Sequence, residues 1–162
     1  MSEISIQPAT PADVPAILAM IQGLAEYEKL AHVCTATVGQ LHDTLFGERP
    51  AAEVLLARQG GACAGFALFF PNYSTFLARP GLYLEDLFVK PEFRGRGIGL
   101  ALLRQLARIA RERNYGRVEW SVLDWNDPAI GFYKKLGAIS MDEWTTFRLA
   151  GDAIGALADR NG

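Results

Sequence analysis

The sequence predicts a mixed α/β fold, in which helices flank a mixed central sheet within one domain spanning residues 1–162. The chain contains both segments with the period-two pattern of strands and segments that have the 3.6-residue period of helices. The 162 residues are 50% hydrophobic and 21% charged, which is typical of one globular domain. No internal repeat, linker or low-complexity segment interrupts the pattern, so we expect a single core.

The composition argues against several classes of function. The net charge is −2, and a nucleic-acid-binding domain is usually basic. Cys34 and Cys63 are too few for a disulfide framework, and with His32 and His42 they form no metal-ligand pattern. There is no N-terminal apolar core with a cleavage site, and no apolar run approaches the length of a membrane span. We therefore expect a cytoplasmic protein with no metal, nucleic-acid or membrane partner.

The N-terminal third predicts a short strand followed by two helices. Residues 4–6 alternate as in a strand, and Asp13 is a candidate N-cap with Pro15 in the first helical turn. An apolar stripe at helical spacing then extends this helix to about residues 27–29. A second helix is predicted to start at Thr37, whose spacing to Gln40 matches a capping box, and to stop at Gly47.

The middle of the chain predicts three strands and a long helix. Residues 53–59 and 62–70 are apolar runs joined by Gly60-Gly61, which favours an antiparallel hairpin. Residues 71–81 are interpreted as a loop that lines a site, because Tyr73 and Phe76 follow no period. A strand at 83–89 and a helix ending near Asn114 come next.

The C-terminal part predicts two further strands and two helices. Residues 117–123 alternate as in a strand, and a short helix over 129–136 is bounded by Pro128 and Gly137. Residues 143–149 are predicted to form the last strand, and residues 152–160 a weak terminal helix.

The most informative stretch is residues 83–103, a strand followed by an arginine–glycine loop and a helix. Two acids, Glu85 and Asp86, interrupt the apolar strand, and strict alternation would place Asp86 on the face opposite to Glu85. Glycines let a ligand approach the backbone, and the start of a helix binds phosphate oxygens through its unpaired N–H groups. The loop therefore predicts a phosphate-bearing ligand at residues 94–100.

The spacing of the glycines narrows the choice of ligand. A P-loop and a dinucleotide-binding fingerprint both fail at required positions. The pattern Arg94-x-x-Gly97-x-Gly99 resembles the acetyl-CoA pyrophosphate loop of the GCN5-related N-acetyltransferase (GNAT) superfamily. The alternative is a glycine-rich turn with no ligand.

The resemblance extends over essentially the whole chain and can be narrowed to one branch. The segments AEYEKL, YLEDLFV, RGRGIG and LDWNDPAIGFYKKLGA, and a Glu-Trp at 143–144, resemble the diamine (spermidine/spermine) and thialysine N-acetyltransferase branch. This resemblance implies an acetyl-CoA-dependent N-acetyltransferase that acts on a small primary amine and forms a homodimer. A protein or peptide acetyltransferase and a non-catalytic acyl-CoA-binding module are the alternatives.

The resemblance also implies where acetyl-CoA binds. Strand 83–89 parts from strand 117–123, and the pantetheine amides bond to the open strand edge, in effect as an added strand. The pyrophosphate is then bound by the loop, and the rest of the CoA arm passes the start of the helix after residue 128. The residues assigned to acetyl-CoA are Leu87, Phe88, Val89, Arg94, Gly95, Arg96, Gly97, Ile98, Gly99, Leu100, Asn126, Ala129 and Tyr133.

Two residues are the candidates for catalysis. Glu85 is either a general base, acting directly or through a water, or the charge partner of a cationic substrate. Tyr133 corresponds in the resembling enzymes to a general acid beside the thioester sulfur, and its alternative role is packing. A phenol of pKa about 10 protonates a thiolate of about 8.5 uphill by roughly 2 kcal/mol, which favours hydrogen-bond donation over full proton transfer.

The amine site is also assigned by resemblance. Acids beside aromatic rings suit an alkylammonium through charge pairing and cation–π contact. For Glu28 and Glu143 the alternative is simple surface solvation. The residues assigned to the amine are Tyr27, Glu28, Glu85, Trp120 and Glu143.

Overall fold

The computed structural model describes residues 2–162 and divides the chain into two compact units, residues 1–123 and 124–162. The prediction of one domain over 1–162 stays a prediction.

The first unit contains five strands and three α-helices. The strands are β1 (Ile4–Pro8), β2 (Glu53–Gln59), β3 (Ala62–Ser74), β4 (Arg79–Val89) and β5 (Val118–Trp120). The helices are α1 (Val14–Tyr27), α2 (Val38–Phe46) and α3 (Ile98–Glu112). Short 3₁₀ turns lie at Pro11–Asp13, Ala31–Val33 and Pro91–Phe93.

The sheet has the order β1-β2-β3-β4-β5, with antiparallel pairs except for the parallel pair of β4 and β5. This confirms the predicted mixed sheet flanked by helices. The strand predicted over 117–123 is shorter than expected, because β5 pairs with β4 only from Leu82 to Leu84. Beyond Leu84 the edge of β4 is not paired with β5, which is the predicted splay.

Each face of the sheet is covered by helices. On one face, Phe66 and Phe88 pack with Ile17 and Met20 of α1 and with Leu45 of α2; we call this the α1/α2 face. On the other face, α3 covers the sheet with Ile98, Leu102 and Leu106, which are fully buried. The apolar stripes read from the sequence therefore mark the buried sides of α1 and α3.

The hairpin between β2 and β3 forms as predicted, and both turn residues, Gly60 and Gly61, have positive φ angles (60° and 80°). The predicted loop over 71–81 is wrong. β3 extends through Ser74 and β4 starts at Arg79, so only the turn between them is irregular. Phe76 is fully exposed in that turn. The loop prediction failed because cross-strand pairing continues past the point where the apolar pattern of the sequence ends.

The helix starts differ in how well the sequence predicted them. Thr37 and Gln40 form the expected capping box at α2, with the Gln40 N–H donating to Thr37 Oγ1 at 3.2 Å. Asp13 makes no side-chain cap to α1; its carboxylate instead accepts from the Thr10 N–H at 2.8 Å and from Arg58 at 2.7 Å. Asp13 therefore completes a capping box one turn earlier, at the 3₁₀ turn.

The second unit contains α4 (Asp127–Lys135) and α5 (Asp152–Ala158). Gly137 follows α4 with φ 92°, as predicted for a C′ glycine. The strand predicted over 143–149 is absent, and Trp144 and Phe147 are 77% and 92% exposed. A strand needs a neighbouring strand to bond to, and alternation in the sequence cannot supply one.

Candidate active site

A β-bulge at Glu85 shapes the centre of β4. Asp86 pairs with Leu68 and Leu84 pairs with Phe69, so Glu85 is an extra residue on β4. Asp86 therefore lies on the α1/α2 face, where Leu68 packs, although alternation from Leu84 would place it on the α3 face. The expectation that Asp86 points away from Glu85 is wrong, because the bulge breaks the alternation.

Three carboxyl groups act on one another around this bulge. Burial, together with the charges of Glu85 and Glu28, raises the pKa of Asp86 to about 6. Burial and the charge of Glu85 also raise the pKa of Glu28. Unfavourable crowding of like charges is relieved when a cation binds between them, so the cluster suits an ammonium group.

The bulge also determines which backbone groups of β4 face the open edge. The Lys90 N–H donates to Ala64 O at 2.8 Å, and bonded and non-bonded pairs alternate along an antiparallel ladder. Phe88 therefore bonds with Phe66, whereas the backbone groups of Leu87 and Val89 face away from β3. Of the three residues assigned to pantetheine, Leu87 and Val89 offer backbone groups at the edge and Phe88 does not.

The glycine loop between β4 and α3 exposes its backbone. Gly95 and Gly97 have φ angles of 75° and 80°, and a Cβ at either position would meet no atom within 4 Å. The Ala101 N–H bonds to Gly97 O at 3.0 Å, so the N–H groups of residues 98–100 precede the first in-helix bond of α3. This arrangement is suited to phosphate oxygens.

The Arg94 side chain links this loop to α1. Its Nε donates to Val89 O at 2.9 Å. Its guanidinium carbon lies 5.0 Å from the centre of the Tyr27 ring and 5.6 Å from that of Phe88. The Tyr27 ring thus already contacts a cation, which is the contact proposed for an amine substrate.

The Arg96 side chain turns toward β2. Its Nη1 donates to Gln59 Oε1 at 3.0 Å, and its Nη2 donates to Glu92 O at 3.0 Å. Its guanidinium also lies over the Phe93 ring at 5.3 Å. The side chain of Arg96 is therefore held by protein groups, and the loop backbone is the part left for a ligand.

The structure brings together most of the predicted amine-site residues of the first unit. Tyr27 ends α1 and Glu28 follows it, and Glu28 is close enough to Glu85 for the two charges to interact. Trp120 is not brought to the same face. It pairs with Leu84, and partners in a parallel pair point to the same side of the sheet, which here is the side opposite to Asp86.

The second unit carries the remaining predicted residues. Asn126 is the N-cap of α4, and its Oδ1 accepts from the Ala129 N–H at 3.4 Å. Tyr133 lies two turns into α4, with its ring 5.7 Å from that of Phe132. Glu143 is exposed in a turn after α4, in which the Trp144 N–H bonds to Met141 O.

Two residues of this region were missed by sequence reasoning. Asp86 was assigned to the wrong face, although two successive acids in a strand are a signal of broken alternation. Gln59 gave no signal, because its contact with Arg96 depends on how the chain folds. Within residues 2–162 no group of three or more His, Cys, Asp or Glu could hold a metal ion, and no helix is long and apolar enough to cross a membrane.

Comparison with known proteins gives one consistent result. The sequence model of the Acetyltransferase (GNAT) family matches residues 21–138. The chain is 39% identical to thialysine N-epsilon-acetyltransferase of Sus scrofa, covering 99% of this chain and 100% of the relative. It is 36% identical to L-ornithine N5-acetyltransferase NATA1 of Arabidopsis thaliana, covering 96% and 88%. An integron cassette protein from the V. cholerae mobile metagenome superposes with TM-score 0.82 at 27% identity, with 99% of both chains covered.

Proposed function

We propose, since the chain belongs to the Acetyltransferase (GNAT) family of N-acetyltransferases, that it transfers an acetyl group from acetyl-CoA to the primary amine of a small cationic substrate. The substrate class is that of thialysine, lysine, ornithine or a polyamine, and transfer is direct within a ternary complex. Relatives named for thialysine and ornithine acetylation support this class.

The observation that carries the proposal is the arrangement around β4. The three carboxyl groups of Glu28, Glu85 and Asp86 lie in electrostatic contact on one side of the strand. The β4 edge that β5 leaves open, at Leu87 and at the Val89 N–H, and the exposed glycine loop follow on the same strand–loop unit. This arrangement supports a cation site next to a site for a thioester with a diphosphate.

The amine must lose a proton before it attacks. A lysine-type ammonium has a pKa of about 10.4, so neutralising it at pH 7 costs about 4.6 kcal/mol. In the proposed reaction Glu85 first accepts this proton through a water. The neutral amine nitrogen then forms a bond to the thioester carbonyl carbon and passes its second proton to solvent. The C–S bond then breaks, and Tyr133 donates a hydrogen bond to the departing thiolate.

An amine panel tests the proposed function. Thialysine, ornithine, lysine, spermidine and a lysine-containing peptide would each be incubated with acetyl-CoA, with release of free thiol and the mass of the product as readouts. We expect turnover with small diamines or diamino acids and little with the peptide. CoA binding without turnover of any amine would indicate the binding module, and preference for the peptide would indicate a peptide acetyltransferase.

Glu85→Gln separates the two roles of Glu85. If Glu85 accepts the proton, the variant slows kcat at neutral pH and recovers as rising pH supplies neutral amine. If Glu85 only binds the cation, KM rises and high pH does not restore it. The measurement is kcat and KM from about pH 6 to 10, and wild-type kcat throughout would end the general-base role.

Gly97→Val tests the loop. Gly97 has φ 80°, which a β-branched residue adopts poorly, and its side chain would stand where a diphosphate must approach. We expect a loss of CoA affinity by more than about tenfold in calorimetric titration. Gly39→Val in α2, where a Cβ also meets nothing within 4 Å and φ is not positive, is the matched control. Undiminished affinity in Gly97→Val would remove the loop from the site.

Three further features complete the proposal. The family match runs across residues 123 and 124, which supports one domain over 1–162.

Exposed apolar side chains at Ile139, Trp144 and Phe147 support a homodimer in which a second copy covers them, and light scattering after gel filtration tests it. Cys34 and Cys63 are free thiols, which fits the reducing cytoplasm.

A further inference from the structure

Gln59, the last residue of β2, is a buried polar side chain to which the proposed function gives no role. It is 7% exposed. Strand alternation places it with Leu55 and Ala57 on the α3 side of the sheet. A buried amide is costly unless both its donor and its acceptor are bonded.

Both ends of the Gln59 amide are bonded, and one of the bonds reaches the glycine loop. Its Nε2 donates to Ser2 O at 3.1 Å, and its Oε1 accepts from Arg96 Nη1 at 3.0 Å. Arg96 donates through its other terminal nitrogen to Glu92 O at 3.0 Å. The guanidinium therefore bridges the strand and the backbone at the start of the loop.

We propose that Gln59 is a positioning residue for the diphosphate of acetyl-CoA, which acts through Arg96 to hold the glycine loop in its binding conformation. The inference rests on the proposed function, in which this loop binds the diphosphate. Gln59 itself touches neither the loop glycines nor a substrate. Its bond fixes Arg96, and Arg96 fixes the segment that contains Gly95 and Gly97.

The physical reason is the conformational entropy of the loop. Glycine residues lose more freedom on ordering than any other residue, and a ligand that must order them pays that cost in affinity. A tether from a buried side chain orders the loop before the ligand arrives. Only ligands whose diphosphate binds the loop should gain affinity from this tether. Ligands that bind only through their thioester end, at β4, should gain none.

The test compares two acetyl donors with Gln59→Leu. Acetyl-CoA carries the diphosphate, and acetyl-pantetheine lacks it. We expect the variant to raise KM for acetyl-CoA about 5- to 10-fold, the equivalent of one net hydrogen bond, with kcat unchanged. KM for acetyl-pantetheine should not move. Calorimetric titration with CoA and with pantetheine gives the same comparison without turnover.

Two variants sharpen the result. Gln59→Glu keeps an oxygen that accepts from Arg96 and loses the bond to Ser2, so acetyl-CoA affinity should return to within about twofold of wild type. Glu53→Gln is the matched control at the other end of β2, where it removes an ion pair to Arg113 with distances of 2.7 and 2.8 Å. It should lower stability without changing the ratio of the two KM values.

Several outcomes would overturn the inference. An unchanged KM for acetyl-CoA, or an equal rise for both donors, would make Gln59 a structural residue only. If Gln59→Leu does not fold, Gln59→Met, which keeps an unbranched side chain of similar length and also loses the bond to Arg96, must give the same selective loss. A wild-type protein that binds CoA no better than pantetheine would overturn the loop assignment in the proposed function itself. If the wild-type protein prefers CoA to pantetheine and Gln59→Leu keeps the same preference, only this inference is overturned.

Discussion

The two compact units of the chain differ in how their side chains are buried. Every buried residue of residues 2–162 lies in the first unit, including Phe66, Phe69 and Leu106. Residues 124–162 contain no buried residue, and aromatic side chains such as Trp144 and Phe147 are largely exposed there. Both units nevertheless contain well-capped helices, such as α2 at Thr37 and α4 at Asn126.

This difference shows that local sequence signals determine where helices form, whereas a buried core determines how stable the fold is. A capping residue fixes where a helix begins in both units, and a C′ glycine, Gly137, ends α4 in the second. Burial of apolar area is the main source of stability, and it is concentrated in the first unit. We therefore expect substitutions in the two units to affect different measurable quantities, beginning with stability.

The largest expected effect compares two phenylalanines. Phe66→Ala should lower the free energy of unfolding by about 3–5 kcal/mol, because Phe66 is fully buried in the α1/α2 core. Measured at a protein concentration low enough to keep the chain monomeric, Phe147→Ala, at a side chain 92% exposed, should change it by less than about 0.5 kcal/mol. Urea unfolding measures both. A loss at Phe147 close to that at Phe66 would break the comparison and show that Phe147 is covered in solution.

The next effect concerns activity without stability. Tyr133→Phe keeps the ring of this α4 residue and deletes only the hydroxyl donor. Turnover should fall roughly 10²-fold, the lower end for a lost acid–base group, while CoA affinity and melting temperature barely move. Steady-state kinetics beside a thermal melt measure this, with Phe132→Leu on the same helix as a packing control. Unchanged turnover would make Tyr133 a packing residue.

The smallest effect is the pH dependence carried by Asp86 in the first unit. Its pKa is raised from 3.8 to about 6 by burial and by Glu85 and Glu28, so the folded protein holds the proton more tightly than the unfolded chain. The stability associated with this proton is full below about pH 4 and is lost as the pH rises through 6. Asp86→Asn should therefore be more stable than wild type at pH 8 by roughly 1–3 kcal/mol and equal to it below pH 4. A constant difference between the two proteins across this range would contradict the raised pKa.

The sequence predicted those features that local residues determine. Gly60-Gly61 predicted its hairpin and Thr37 with Gln40 predicted its capping box, because the determining atoms lie within a few residues of one another. The strand at 143–149 could not be judged in this way, since a strand depends on a partner. The glycine loop was recognisable from its spacing, whereas the bond from Gln59 to Arg96 joins residues far apart in the chain.

The bulge at Glu85 has a consequence for how β4 tolerates change in evolution. Upstream of it, Leu82 and Leu84 face α3, and downstream of it, Asp86 and Phe88 face α1 and α2. One extra residue thus lets even-numbered positions serve both layers of the protein and turns the backbone of Leu87 and Val89 to the open edge. Deleting one residue here would reverse every downstream side chain and backbone group at once. The length of this stretch should therefore be under stronger constraint than the identity of any single residue in it.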